Sequence, residues 1–263
     1  MQSFFKCISL SLVILFSAFS GCFGSNTTNQ IVEQRGVPGG LLKACLHDDK
    51  YTSMVIEIDY AEGFEPEDSS IDLLQQRLDQ ICDKPDGITI TKTKTVFGID
   101  DTWTAEDVRS EAYRTRSASP YFQTNVLTWH ILMPAGEYSD DSVLGVAVNA
   151  ADIAVFKSTI QDSENFLSRP SAEEIENSVM LHEIGHLLGL VNCVYQSDID
   201  HEDPDHPKHS NNEDSVMHWA IESSSIGNII DGELPDDFDS ADKSDLAKLK
   251  SGELEIESQL WMP

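Results

Sequence analysis

Two histidines and a glutamate stand in one short string, His182-Glu183-Ile184-Gly185-His186. If the string is helical, residues four apart share a face, with β-carbons about 6 Å apart. Both imidazoles then reach one Zn²⁺, a metal that takes histidine nitrogen and keeps a position for water in catalytic sites. Glu183 is placed to touch that water rather than the metal, and to take its proton as general base. The bland alternative is a surface helix with two solvated histidines. The flanks favour the metal. Ser171, after Pro170, has Glu174 three residues on, a capping box that opens a helix. Gly189 supplies the left-handed residue that closes one.

The longer string HEIGHLLGL resembles the metzincin metalloproteases, whose signature runs to a third metal ligand three residues after the glycine and later to a turn built around Met. Here that slot is Asn192, whose amide is a poor zinc ligand. Ser215-Val216-Met217-His218-Trp219-Ala220 resembles the Met-turn. The spacing from His209 through Ser210 and Ser215 to Met217 is similar to that of archaemetzincins, with Ser at both positions where they carry Cys. Leishmanolysin-like metzincins insert residues between the glycine and the third histidine. The resemblance therefore implies an insertion over 193–208 and a zinc site of His182, His186 and His209, with Glu183 as catalytic base. Met217 would form a floor beneath the metal without coordinating it. His201 and His206 compete with His209 for the third place. The resemblance also implies an antiparallel edge strand that pairs with substrate backbone. Val143-Leu144-Gly145-Val146-Ala147 is the candidate, with Gly145 and Ala147 small enough to admit a peptide. Tyr195 is a candidate for stabilising an oxyanion, and His218 has no assigned role.

The elements that must position these residues follow from hydrophobic patterning. Strands are expected at 53–60, 88–97, 125–133, 143–148 and 152–156, where β-branched and apolar residues run together or alternate. A helix with Ile71, Leu74, Leu78 and Ile81 on one face is expected to be capped by Ser69 or Ser70. Thr104 opens a polar helix to about Arg116, the metal-bearing helix runs from Ser171 to about Leu188, and a last helix spans about Ser240 to Leu249. His130 reads as a half-buried sheet residue. The acid run Asp236, Asp237, Asp239, Asp242 and Asp245 reads as helix-start charge, with calcium as the alternative. The order predicts a single α/β (α+β) domain over 41–263 with a mixed sheet on which helices pack, and the resemblance implies a metzincin-like mixed twisted sheet with active-site helix, Met-turn and C-terminal helix.

The N-terminus has another purpose. Lys6 precedes an apolar run from Ile8 to Phe19, so 1–21 reads as a signal peptide. Phe19-Ser20-Gly21-Cys22 resembles the lipobox of prokaryotic lipoproteins. That implies a lipid on Cys22 and a membrane-anchored, extracytoplasmic protein, with plain secretion as the alternative. Residues 22–40 would be a tether, which carries the weak glycosylation sequon at Asn26. In an exported chain Cys45 and Cys82, both in the N-terminal half, are the preferred disulfide, which leaves Cys193 unpaired. The 263 residues carry 17 Lys and Arg against 46 Asp and Glu, a formal charge of -29. That excess argues against nucleic acid as a partner. The sequence thus predicts a zinc endopeptidase acting on peptides or proteins. The rival is a catalytically inactive, lipid-anchored binding or structural protein on the same fold, motivated by Asn192.

Overall fold

The computed structural model describes residues 36–117, 125–163, 170–226 and 233–257. The expected signal peptide, Cys22 and Asn26 lie outside them. The chain runs α1 (Leu42–Leu46), β1 (Ser53–Tyr60), α2 (Asp68–Ile81), β2 (Ile88–Lys94), β3 (Thr102–Trp103), α3 (Ala105–Thr115) and β4 (Val126–Met133). It continues through β5 (Glu137–Tyr138), β6 (Gly145–Ala147), β7 (Asp152–Val155), α4 (Lys157–Asp162) and α5 (Ala172–Leu187). A 3₁₀ turn (Trp219–Glu222) and α6 (Ser240–Ser251) follow.

Five strands form a mixed sheet in the order β2-β1-β4-β7-β6. β1 pairs in parallel with β2 and β4, and β4 with β7. β6 alone is antiparallel, at the edge beside β7. This is the mixed α/β architecture expected. Strand periodicity of two decides which residues face which layer. Leu127, Trp129, Ile131 and Met133 of β4, with Ile153 and Val155 of β7, join the main core with α5 residues Ile175, Val179 and Ile184. Leu132 and Ala154 point the other way and pack with Trp103, Val108, Ala112 and Phe156 in a second cluster with α3. The helix that bears the motif is therefore laid along one face of the sheet.

Several elements depart from expectation, each for a local reason. β2 ends at Lys94 rather than Phe97 because its partner β1 ends at Tyr60, the residue opposite. β6 is confined to Gly145–Ala147 because Val143 pairs with Ser223 and the Leu144 amide donates to the Glu222 carbonyl at 2.8 Å. α2 starts at Asp68, with Glu67 at its N-cap and no side-chain cap. Ser69 and Ser70 do not cap it. They donate instead across to α5, Ser69 to Glu173 at 2.7 Å and Ser70 to Asn177 at 2.7 Å. Glu176 of α5, fully buried, accepts the Glu67 amide at 2.7 Å and pairs with Lys157 at 2.9 Å. A carboxylate at a helix start is favourable, so α5 itself caps α2 and the two helices are fixed together. The pair Cys45–Cys82 is a disulfide, and Cys193 is free.

Candidate metal centre

Local chemistry builds α5. Ser171 accepts the Glu174 amide and Glu174 returns the bond to the Ser171 amide, the capping box expected. The helix ends at Leu187. Gly189, at φ +67°, donates to the His186 carbonyl, and the Leu190 amide donates to the Gly185 carbonyl at 3.1 Å. These two bonds are the Schellman pattern, which satisfies the last carbonyls and turns the chain sharply away. Val191 and Asn192 continue the turn with φ of 53° and 62°. A β-branched residue at positive φ is held only by its surroundings.

Asn192 shows what holds it. Its side-chain amide donates to Glu202 at 2.8 Å, and its side-chain oxygen accepts the Ser197 amide at 2.7 Å. Lys208 donates to its backbone carbonyl. Asn192 therefore ties both ends of the 193–208 excursion to the end of α5. The excursion closes with Lys208 at φ 73° and delivers His209 back to α5.

The three histidines meet. Ring centroids lie 4.8 Å apart for His182 and His186, 5.2 Å for His182 and His209, and 5.1 Å for His186 and His209. The His182 Nδ1 donates to the Val216 carbonyl at 2.7 Å, which leaves Nε2 free as an electron-pair donor. The Nε2 atoms of His182 and His186 are 3.1 Å apart. Both ring nitrogens of His209 are buried and without a hydrogen-bond partner among the described residues. Met217 lies fully buried against the helix, where its Sδ would be 2.1 Å from a β-carbon added at Gly185. Glycine between the two helix histidines thus lets the Met-turn pass close beneath them.

The competitors are elsewhere. His201 bonds through Nε2 to Asp245 at 3.1 Å, within a buried network that also holds Tyr195 and Ser197 on the same carboxylate. His206 bonds to Asp203 at 2.7 Å and stacks on Trp219. Tyr195, the expected oxyanion stabiliser, is buried on Asp245 and does not line the histidine site. His130 is fully buried rather than half-buried, paired with Asp59 at 2.9 Å. Of the acid run, Asp239 caps α6 by accepting the Ala241 and Asp242 amides. His201, Asp239 and Asp242 form a second group with ligand-type atoms within 4.8 Å of one another.

A cavity of about 320 Å³ opens at the histidines, with Val146 and Ala147 on one side and Cys193, Pro207 and Lys208 on the other. Glu183 reaches it, fully buried, and its carboxylate oxygens have no hydrogen-bond partner among the described residues. Burial, reinforced by the charge of Glu222, holds its carboxyl well above the usual range, and the nearby Ala147 amide tempers this without reaching hydrogen-bond geometry. Burial, with His182 and His209 alongside, drives the His186 pKa well down, which favours the neutral ring that binds metal. Gly145 has a role other than the one expected. A β-carbon there would meet Glu183 Oε1 at 2.6 Å and Val179 at 2.9 Å. Its smallness seats the edge strand on α5; the cavity is lined by Val146 and Ala147.

Sequence reasoning missed Glu222. Its carboxylate lies 3.4 Å from His209 Nε2 and 3.7 Å from His182 Nε2. His182, His186, His209 and Glu222 present one donor atom each within 4.8 Å of one another. Burial opposes charge on Glu222, but the facing His182 and His209 rings outweigh it and hold its carboxyl far below the ordinary value. Buried imidazole nitrogens that face one another and a carboxylate fit zinc, whose protein ligands are of these types.

No protein-family model matches the chain, and no curated protein matches it. Among solved structures it is similar to an archaemetzincin from Methanopyrus kandleri, with 11% identity over 75% of this chain and 95% of that one and a TM-score of 0.47. It is also similar to an archaemetzincin from Archaeoglobus fulgidus complexed with malonate, with 16% identity over 73% of this chain and 99% of that one and a TM-score of 0.41. Both are likenesses of chain trace, and the chemistry of the site rests on its own atoms.

Proposed function

We propose that the protein is a zinc-dependent endopeptidase in which His182, His186 and His209 hold the metal and Glu183 is the base. The observation that carries this reading is the convergence of three imidazoles, two buried and one half-buried, beside a buried glutamate with no hydrogen-bond partner among the described residues. When bound, zinc supplies a water of lowered pKa and a polarised carbonyl. The residues do the rest. The open side of β6 at Val146 and Ala147 pairs with an extended peptide and fixes its register. Glu183 takes a proton from the attacking water on a carboxylate oxygen and gives it to the nitrogen of the leaving amine. Burial pushes its carboxyl up, the direction that suits a base that must also act as an acid. The Val216 carbonyl keeps the His182 tautomer and ring orientation.

The rival reading, an inactive binding protein, was motivated by Asn192. Asn192 has a structural task as the staple of the inserted loop, and a third imidazole comes from the far end of that loop. Peptides or proteins are the proposed substrates and nucleic acid is not. Attachment through a lipidated Cys22 on the extracytoplasmic side is proposed from the sequence alone.

The test is zinc per chain for the parent and for His209→Ala, His201→Ala and Asn192→Ala, with peptide hydrolysis measured alongside. The parent is expected to hold one tight zinc, lost in His209→Ala and kept in His201→Ala. Glu183→Gln is expected to keep the zinc and lose about 10²- to 10⁴-fold in rate. A parent that folds and takes up no zinc refutes the peptidase reading.

A further inference from the structure

The side of the histidines on which Glu222 lies is informative. A carboxylate that merely orients a metal-binding histidine bonds to the nitrogen turned away from the metal. For His182 that nitrogen, Nδ1, is already given to Val216. Glu222 faces the opposite nitrogens, Nε2 of His182 at 3.7 Å and Nε2 of His209 at 3.4 Å. Both distances are long for hydrogen bonds. They belong to different oxygens, Oε2 toward His182 and Oε1 toward His209, and compare with the spacing of donor atoms on one zinc: with bonds of about 2.0–2.1 Å and a tetrahedral angle, neighbouring donor atoms stand about 3.3 Å apart. The His182–His186 spacing of 3.1 Å falls in the same range.

The position of Glu222 is built into the backbone. It ends the 3₁₀ turn that follows Met217, and its carbonyl accepts the Leu144 amide just before β6 begins. Val143 and Ser223 bridge beside it. The strand proposed to bind substrate and the residue facing the histidines are thus joined by direct backbone bonds.

We propose that Glu222 is a fourth protein ligand of the resting metal centre, so that the centre is closed on itself until substrate on the edge strand displaces the carboxylate. This rests on the metal reading above. Structural zinc sites are closed by four protein ligands and catalytic ones keep a position for water; a displaceable Glu222 gives one centre both states.

The experiment uses the full chain loaded with one equivalent of Co²⁺, whose visible absorption reports what coordinates it. The parent spectrum is expected to stay constant between pH 6.5 and 9. Glu222→Gln, and Glu222→Asp with its carboxylate drawn back by one methylene, are expected to give a different spectrum that titrates with pH, because a water that ionises near neutrality now occupies the position. Zinc affinity should fall by at least about tenfold in both. Variant spectra identical to that of the parent overturn the proposal whatever the affinity, and leave the three-histidine site standing. A folded parent that takes up no Co²⁺ or Zn²⁺ removes the metal reading itself and this proposal with it.

Discussion

Gly185→Ala separates helix chemistry from Met-turn packing, because the two predict opposite signs. Judged by propensity alone, alanine in a helix interior is better than glycine by about 1 kcal/mol. The structure predicts a loss. The new methyl would sit 2.1 Å from Met217 Sδ and 3.0 Å from Phe238, where ordinary contacts are about 3.5–4.0 Å. Met217 must retreat by well over an ångström, and it is fully buried. Overpacking of this kind costs about 1–3 kcal/mol. Set against the propensity gain, the net is a destabilisation of about 0–2 kcal/mol. The strain also has a direction. The Met217 carbonyl accepts the Ser210 amide at 2.8 Å, and its amide donates to Ser215. Moving Met217 therefore moves the residue next to His209 and the carbonyl that orients His182. Urea denaturation of the metal-free protein measures the stability term, and competition with a zinc chelator measures affinity, expected to fall at least about tenfold. Met217→Ala makes room for the methyl, so the cost of Gly185→Ala should vanish in that background, a coupling that a double-mutant cycle reads directly. Stabilisation by about 1 kcal/mol with unchanged zinc affinity would falsify the packing of the Met-turn under the helix.

Three further outcomes follow from other parts of the molecule. Gly145→Ala places a methyl 2.6 Å from Glu183 Oε1; hydrolysis should fall by more than about tenfold while zinc per chain is unchanged, and a variant of full activity would show that β6 does not seat the base. Reducing Cys45–Cys82, 37 residues apart, should lower unfolding free energy by about 4 kcal/mol from loop closure, read as a drop in urea midpoint with reductant; no drop would mean the reduced chain keeps that loop ordered. The His201 pKa is raised above 6.5, chiefly by its bond to Asp245 with Asp242 adding to it. A raised folded-state value contributes stability that is complete below pH 6.5 and lost as pH rises through it. Asp242, pushed up to about 7 chiefly by burial, acts with the same sign from 3.8 upward. Stability should therefore fall as pH rises, through Asp242 from about 3.8 to about 7 and through His201 from 6.5 upward, and His201→Gln should flatten the upper part of that fall; a parent curve level above pH 6.5 refutes the charge pairing.

What could be read along the chain was whatever is encoded by neighbours. The helix start at Thr104, the capping box at Ser171 and the glycine stop at Gly189 each need only a few adjacent residues, and all three form as their chemistry requires. The sheet faces follow from alternation within single strands. Ser69 and Ser70 misled because a nearby helix start is only one of the partners a hydroxyl can find, and α5 offered better ones. The task of Asn192 was hidden for the same reason: its partners, Ser197, Glu202 and Lys208, lie within the loop it closes.

The choice between His201 and His209 shows where pattern reading must give way to charge. Both are histidines in an acid-rich loop, and the acids adjoining His201 in sequence do not decide its fate. Asp245 does, 44 residues away on α6, by holding the His201 ring in a buried network of its own. His209 has no such partner on either ring nitrogen among the described residues, and the carboxylate that faces its Nε2, Glu222, stands 3.4 Å away, at ligand spacing. Glu222 itself is one of 46 acids, set on a 3₁₀ turn that no periodicity marks. Its significance appears only once the Met-turn, the edge strand and α5 converge. The candidate metal centre is thus written twice: locally, in the spacing of His182 and His186, and globally, in which distant side chains the fold turns toward them.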